Sequence, residues 1–185
     1  ATDTPSLPNA PRMRSQELTV GFTGHRALPD ARPIALAIRK LLRRLSTESG
    51  ALAVIASAAR GADTLYLSEA RSLDLPACVV LPFPKERFKE DFATHPQDWE
   101  AVLPLLEEAR SVRIVAKTPT PEDAYLATGK MIVDNSDALI AVWDGMPANG
   151  KGGTADVIKY AQTLGRPIYI VDPSSGSVSY PRQAC

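Results

Sequence analysis

Six short apolar runs alternate along this chain with stretches whose apolar residues recur three and four positions apart. The sharpest example spans 137–171. Ala138 to Trp143 is apolar throughout, as expected of a strand buried on both faces of a parallel sheet. It stops at Asp144-Gly145, ahead of the turn Gly150-Lys151-Gly152-Gly153-Thr154. From Ala155 the period changes, and Val157, Ile158, Ala161 and Leu164 define one helical face. Gly165 ends that helix, and Pro167 precedes the last run, Ile168 to Val171. Strand, glycine turn, helix and strand make one βαβ unit.

The other runs fit the same alternation. Leu18–Phe22 and Leu52–Ala56 predict two strands, separated by a helix with Asp30 at its cap and Pro33 in its first turn. Ile34, Ala37, Ile38, Leu41, Leu42 and Leu45 form the inner face of that helix, with Arg39, Lys40, Arg43 and Arg44 in water. A second helix turns Leu65, Ala70 and Leu73 inward, and Cys78–Leu81 follows as the third strand. Phe83 to Trp99 mixes charges with Phe88 and Phe92, which suits a short helix or lid over the sheet's edge. His95 precedes Pro96 and reads as a helix stop, and Asp98 as the cap of a helix through Leu103, Leu106 and Ala109. Val112–Val115 is a fourth strand, and Glu122–Val133 a helix. The expected architecture is a three-layer α/β sandwich: a mostly parallel sheet of about six strands with helices on both faces. Residues 1–16 read as a disordered arm or linker, 17–172 as the folded domain, and 173–185 as a loose tail.

A chain of 185 residues suits one such domain. Lys and Arg number 21 and so do Asp and Glu, so the neutral balance argues against a nucleic-acid footprint and against a membrane surface. No apolar stretch reaches the roughly 18 residues of a membrane span. The opening residues lack the apolar core of a signal peptide, and a start at Ala1 suggests a chain processed or cut from a longer one. Cys78 lies in a strand and Cys185 ends the chain, which points to a reduced, cytoplasmic protein.

The polar clusters all follow strands: Gly21, Thr23, Gly24, His25 and Arg26 at the first, Arg60, Gly61 and Asp63 at the second, and Asp144, Gly145 and the glycine turn at the fifth. In a parallel sheet these ends share one rim, where open α/β sheets bind ligands. Gly152, Gly153 and Thr154 open a helix, whose unpaired amides favour an anion. The glycines let backbone approach phosphate oxygens, Arg26 can pair with a phosphate in forked geometry, and Asp144 can accept from ribose hydroxyls. Asp63 reads equally as a helix-start residue, and Trp143 as core. His25 and His95 stand alone without metal-ligand spacing, so no metal and no cofactor is called for. There is no Walker pattern and no nucleophile elbow.

GFTGHR after the first strand, ARGAD after the second, LPFP after the third, and DALIAVWDG with GKGGTADVIKYA and GRPIYIV together resemble the SLOG superfamily over about 18–171. That resemblance implies a Rossmann-like fold, a nucleotide or nucleotide derivative such as an ADP-ribose relative or cyclic nucleotide as small-molecule ligand, homo-oligomerisation, and an attached effector domain or partner. The last βαβ unit is also similar to nucleoside 2-deoxyribosyltransferases. Both enzyme groups imply a catalytic glutamate three residues beyond the Gly-Thr threonine, where this chain has Val157. Asp156 is one position early, about 100° around the helix. An N-glycosidase or deoxyribosyltransferase would therefore have to use Asp156 or Asp144.

Overall fold

A computed structural model describes residues 16–148 and 150–182; the expected N-terminal arm at 1–16 lies almost wholly outside them. The sheet carries β1 (Leu18–Gly24), β2 (Leu52–Ala56), β3 (Ala77–Leu81), β4 (Ser111–Ile114), β5 (Ala138–Val142), β6 (Ile168–Val171) and β7 (Val178–Ser179). Its order is β4-β3-β2-β1-β5-β6-β7, with β1 to β6 parallel and β7 antiparallel to β6. The helices are α1 (Ala31–Ser49), α2 (Ala62–Ser72), α3 (Lys85–Lys89), α4 (Pro96–Glu108), α5 (Pro121–Asp134) and α6 (Thr154–Thr163), with a 3-10 turn at Glu90–Phe92. This is the expected Rossmann-like α/β sandwich.

The alternation of side chains in the central strands divides the core. Val20, Phe22, Val54, Ala56, Val79, Leu81, Ile140 and Val142 pack with α1, α2 and α4. Leu139 and Ala141 meet Val157, Ile158 and Ala161 of α6, while Ile55 and Val80 meet Ala124 and Ile132 of α5. Continuous apolar runs were legible because β2 and β5 are buried along their whole length. Asp30 caps α1 as expected, accepting from Arg32 N–H at 3.1 Å.

Two segments depart from expectation. The tail is ordered as far as it is described: Asp172 N–H donates to the Ser177 carbonyl at 2.9 Å, and Tyr180 packs edge-on to Tyr169 beneath the Arg44 guanidinium. Side-chain anchors thus hold a two-residue strand that has too few residues to leave a periodic signal. His95 occupies the N-cap of α4 rather than a helix stop, and Asp98 falls in that helix's first turn. Pro104 sits inside α4 without ending it. Among the described residues no helix is long and apolar enough to cross a membrane.

What positions the site is the sheet order. Strands run outward from β1 through β2 and β3 in one direction and from β5 to β6 in the other, with Gly24 beside Val142. The chain leaves β1 for α1 on one face and leaves β5 for α6 on the opposite face. The loops therefore diverge, and a crevice opens between them.

Candidate ligand-binding cleft

A cleft of about 970 Å³ occupies that crevice at the carboxyl ends of β1, β2 and β5. Thr23, Gly24, His25 and Arg26 line one side, and Asp144 with Gly152, Gly153 and Thr154 line the other. Clusters more than a hundred residues apart thus meet. Asp144 N–H lies 3.2 Å from His25 Nε2, and Asp144 Oδ1 lies 3.4 Å from the same nitrogen. Asp144 Oδ1 also accepts from Met146 N–H at 2.9 Å, and its side chain remains 47% exposed.

The glycine turn is built by close approach. Gly152 has φ +81°, and a Cβ there would lie 2.6 Å from the backbone nitrogen of Leu126. Only glycine lets the turn rest on α5. Asp156 Oδ2 accepts from Gly152 N–H at 3.0 Å, and Lys151 Nζ lies 3.5 Å from Asp123 Oδ1 on α5. Gly153 is the N-cap of α6, and no side chain caps that terminus. First-turn amides with the partial positive charge of the helix dipole therefore face the cleft.

The opposite wall comes from α5, through Glu122, Tyr125, Thr128, Gly129 and Ile132. The Tyr125 hydroxyl donates to Asp91, which also pairs with Arg87 at 3.1 Å. Burial, reinforced by the Asp91 bond, holds the Tyr125 proton above the usual phenol range. The Arg26 guanidinium stands over the Tyr125 ring, 5.0 Å from its centroid. The ring thus supports the guanidinium at the cleft wall.

Not every expected residue reaches the cleft. Gly21, Arg60, Gly61, Gly145 and Asp156 are outside the lining. Gly21 makes room for Ser136, since a Cβ would overlap its hydroxyl. Gly61, at φ +90°, lies against the Arg26 carbonyl. Gly145 serves a turn at φ +84°, and Asp156 is spent on Gly152. Asp63, Tyr125, Glu122, Ser57 and Lys151 line the cleft but were outside the expected ligand set. Asp63 carried a signal in the ARGAD segment. Tyr125 carried none, because its spacing in α5 is that of any half-buried helical residue. Among the described residues no cluster of His, Cys, Asp or Glu suits a metal ion.

No family model and no curated protein matches the sequence. Solved structures do match in fold. The X-ray structure of TM1055 aligns at TM-score 0.53 and 16% identity, over 82% of this chain and 72% of that one. DNA processing protein A from Helicobacter pylori, described for its single-stranded DNA binding mode, aligns at TM-score 0.59 and 17% identity, over 83% of this chain and 64% of its own. The molybdenum cofactor carrier protein of Chlamydomonas reinhardtii aligns at TM-score 0.51 and 14% identity, over 84% and 76%. This chain spans half of a second DprA, from Streptococcus pneumoniae.

The DNA-binding neighbour corrects the exclusion of nucleic acid drawn from charge. A net charge is a sum over the whole surface, whereas phosphates are met by a few local donors. A zero total therefore excludes no phosphate-bearing polymer. The arrangement of strands, the helices on both faces and these neighbours agree: the fold is a Rossmann-like α/β fold.

Proposed function

We propose that this domain binds a nucleotide or nucleotide derivative of the ADP-ribose kind in the cleft between β1 and β5. The observation that carries this reading is the facing of Arg26 and His25 with the uncapped α6 terminus and Asp144 across one crevice. The amides of Gly153 and Thr154, with Arg26 and Lys151, meet phosphate oxygens. Asp144, with an exposed carboxylate, accepts from a ribose hydroxyl. The mixed lining and the volume suit a ligand of mononucleotide to dinucleotide size.

Hydrolysis of such a ligand has less support. At the position where the similar enzymes carry glutamate, Val157 fills a notch at Gly129, where a Cβ would lie 2.5 Å from its Cγ2. Asp156 is held by the Gly152 amide, which removes the nearest substitute.

Titration calorimetry and thermal shift with AMP, ADP-ribose, a cyclic nucleotide and a short single-stranded oligonucleotide test the reading. Binding of a free nucleotide, weakened by Arg26→Ala, is the expected result. Absence of heat and of a melting shift with all the nucleotides overturns it, and binding of the oligonucleotide alone replaces it with a nucleic-acid site.

A further inference from the structure

One acidic group of the cleft has no part in the phosphate and ribose contacts above. Asp63 stands at the start of α2, partly buried, with its carboxylate accepting from Ala59 N–H at 3.3 Å. It lines the cleft beside Arg26, yet forms no ion pair among the described residues. The two loops that carry this pair cannot drift apart. Ala62 N–H donates to the His25 carbonyl at 3.0 Å, and Gly61 is packed on the Arg26 carbonyl. Arg26 in turn is fixed over Tyr125.

We propose that Asp63 is a further ligand-binding residue of this cleft, taking up a proton from solvent as an anion docks on Arg26 and donating that proton to a ligand oxygen. The inference rests on the anion-binding reading of the site. Desolvation pushes the Asp63 carboxyl up to about 7, against the pull of the Ala59 N–H and the Arg26 charge. An anion that occupies Arg26 cancels its favourable field at Asp63 and adds a negative charge nearby, so the carboxyl gains its proton. The carboxylic acid then has an O–H to donate, where the carboxylate could only accept and would repel phosphate. The other titratable or charged groups lining the cleft are His25, Glu122, Tyr125, Asp144 and Lys151. Of these, Lys151 is offset by Asp123 and Tyr125 is neutral through the relevant range.

The test follows the Asp63 carboxyl carbon by NMR across pH 5 to 9, assigned by Asp63→Asn, in the wild type and in Arg26→Gln. Calorimetry with ADP-ribose at about pH 7 is run in two buffers of different ionisation enthalpy. ADP-ribose and sulfate are chosen because neither titrates in this range. The expected results are an Asp63 midpoint near neutrality that rises in Arg26→Gln, and uptake of roughly half a proton per ligand that vanishes in Asp63→Asn. An Asp63 midpoint in the ordinary carboxylate range, one indifferent to Arg26→Gln, or binding without proton uptake overturns the proposal. Should ADP-ribose and the other nucleotides all fail to bind, the nucleotide reading falls. The Arg26→Gln titration and the displacement of the Asp63 midpoint by concentrated sulfate still decide the coupling.

Discussion

The α-carbon of Gly61 lies against the carbonyl of Arg26, so the ligand-facing loop after β1 is seated on a residue that contributes no side chain of its own. Gly61 also has φ +90°, a region that L side chains rarely adopt. Gly61→Ala is therefore expected to destabilise the domain by about 2–3 kcal/mol. It should also weaken nucleotide binding about tenfold by pushing Arg26 off Tyr125. Urea unfolding and calorimetry on the same preparation check both effects.

Arg26→Ala removes the guanidinium from the cleft wall together with its contact on the Tyr125 ring. A loss of ten- to a hundred-fold in affinity for a phosphorylated ligand is expected, on the order of 1.5–3 kcal/mol for a charge-assisted bond. Lys151→Ala, already compensated by Asp123, should cost less.

Gly152→Ala tests the glycine turn. The new Cβ would press on the Tyr125 and Leu126 backbone at φ +81°. The turn must then lift from α5 and carry the α6 amides out of line. Binding should fall by more than in Lys151→Ala, with a melting temperature lowered by a few degrees.

Asp63 sets a pH dependence of stability whose sign is fixed. Its proton is held more tightly in the folded chain, up to about 7, than in the unfolded chain, at about 3.9. The stabilisation is complete below the unfolded value and is lost as pH rises through the folded one. Asp63→Asn, which keeps an acceptor for Ala59 N–H, should therefore match the wild type near about pH 4 and melt higher above about pH 7. Thermal melts of both proteins across that range check it.

Tyr66 donates to the Val20 carbonyl at 2.8 Å and stacks on Phe22 at 4.3 Å, wholly buried. Desolvation raises its phenol well above the usual range, so it is neutral at every working pH. Tyr66→Phe keeps the stack but removes a second hydrogen bond to a carbonyl of the sheet ladder, and is expected to cost about 1 kcal/mol in urea unfolding.

The sheet was legible because β2 and β5 are apolar from end to end, and parallel strands alone place His25 and Asp144 on one rim, while the pairing of β1 with β5 brings them into contact. What escaped depends on contacts rather than on pattern. Asp63 differs from an ordinary helix-start carboxylate only through burial beside Arg26, which no spacing reveals. Asp156 looked available until the Gly152 amide was seen to claim it. Arg60 follows a strand as Arg26 does, yet it lies outside the cleft. Gly21 and Gly61 follow the same rule of small residues at strand ends, but the space they leave is taken by Ser136 and by the Arg26 carbonyl rather than by a guest. Net charge misled for the opposite reason: it averages over the surface that the cleft occupies.

The short β7 has a consequence for assembly. It occupies the rim of β6 with only two residues, too few to template another strand. Among the described residues nothing pairs with the outer rim of β4, where Val112 and Ile114 are 43% and 49% exposed. A sheet with one open margin and one stopped margin can be extended across a twofold axis, but not repeated. Among the described residues the sheet therefore offers one margin for strand addition, while a single hydrogen-bonded turn occupies the other.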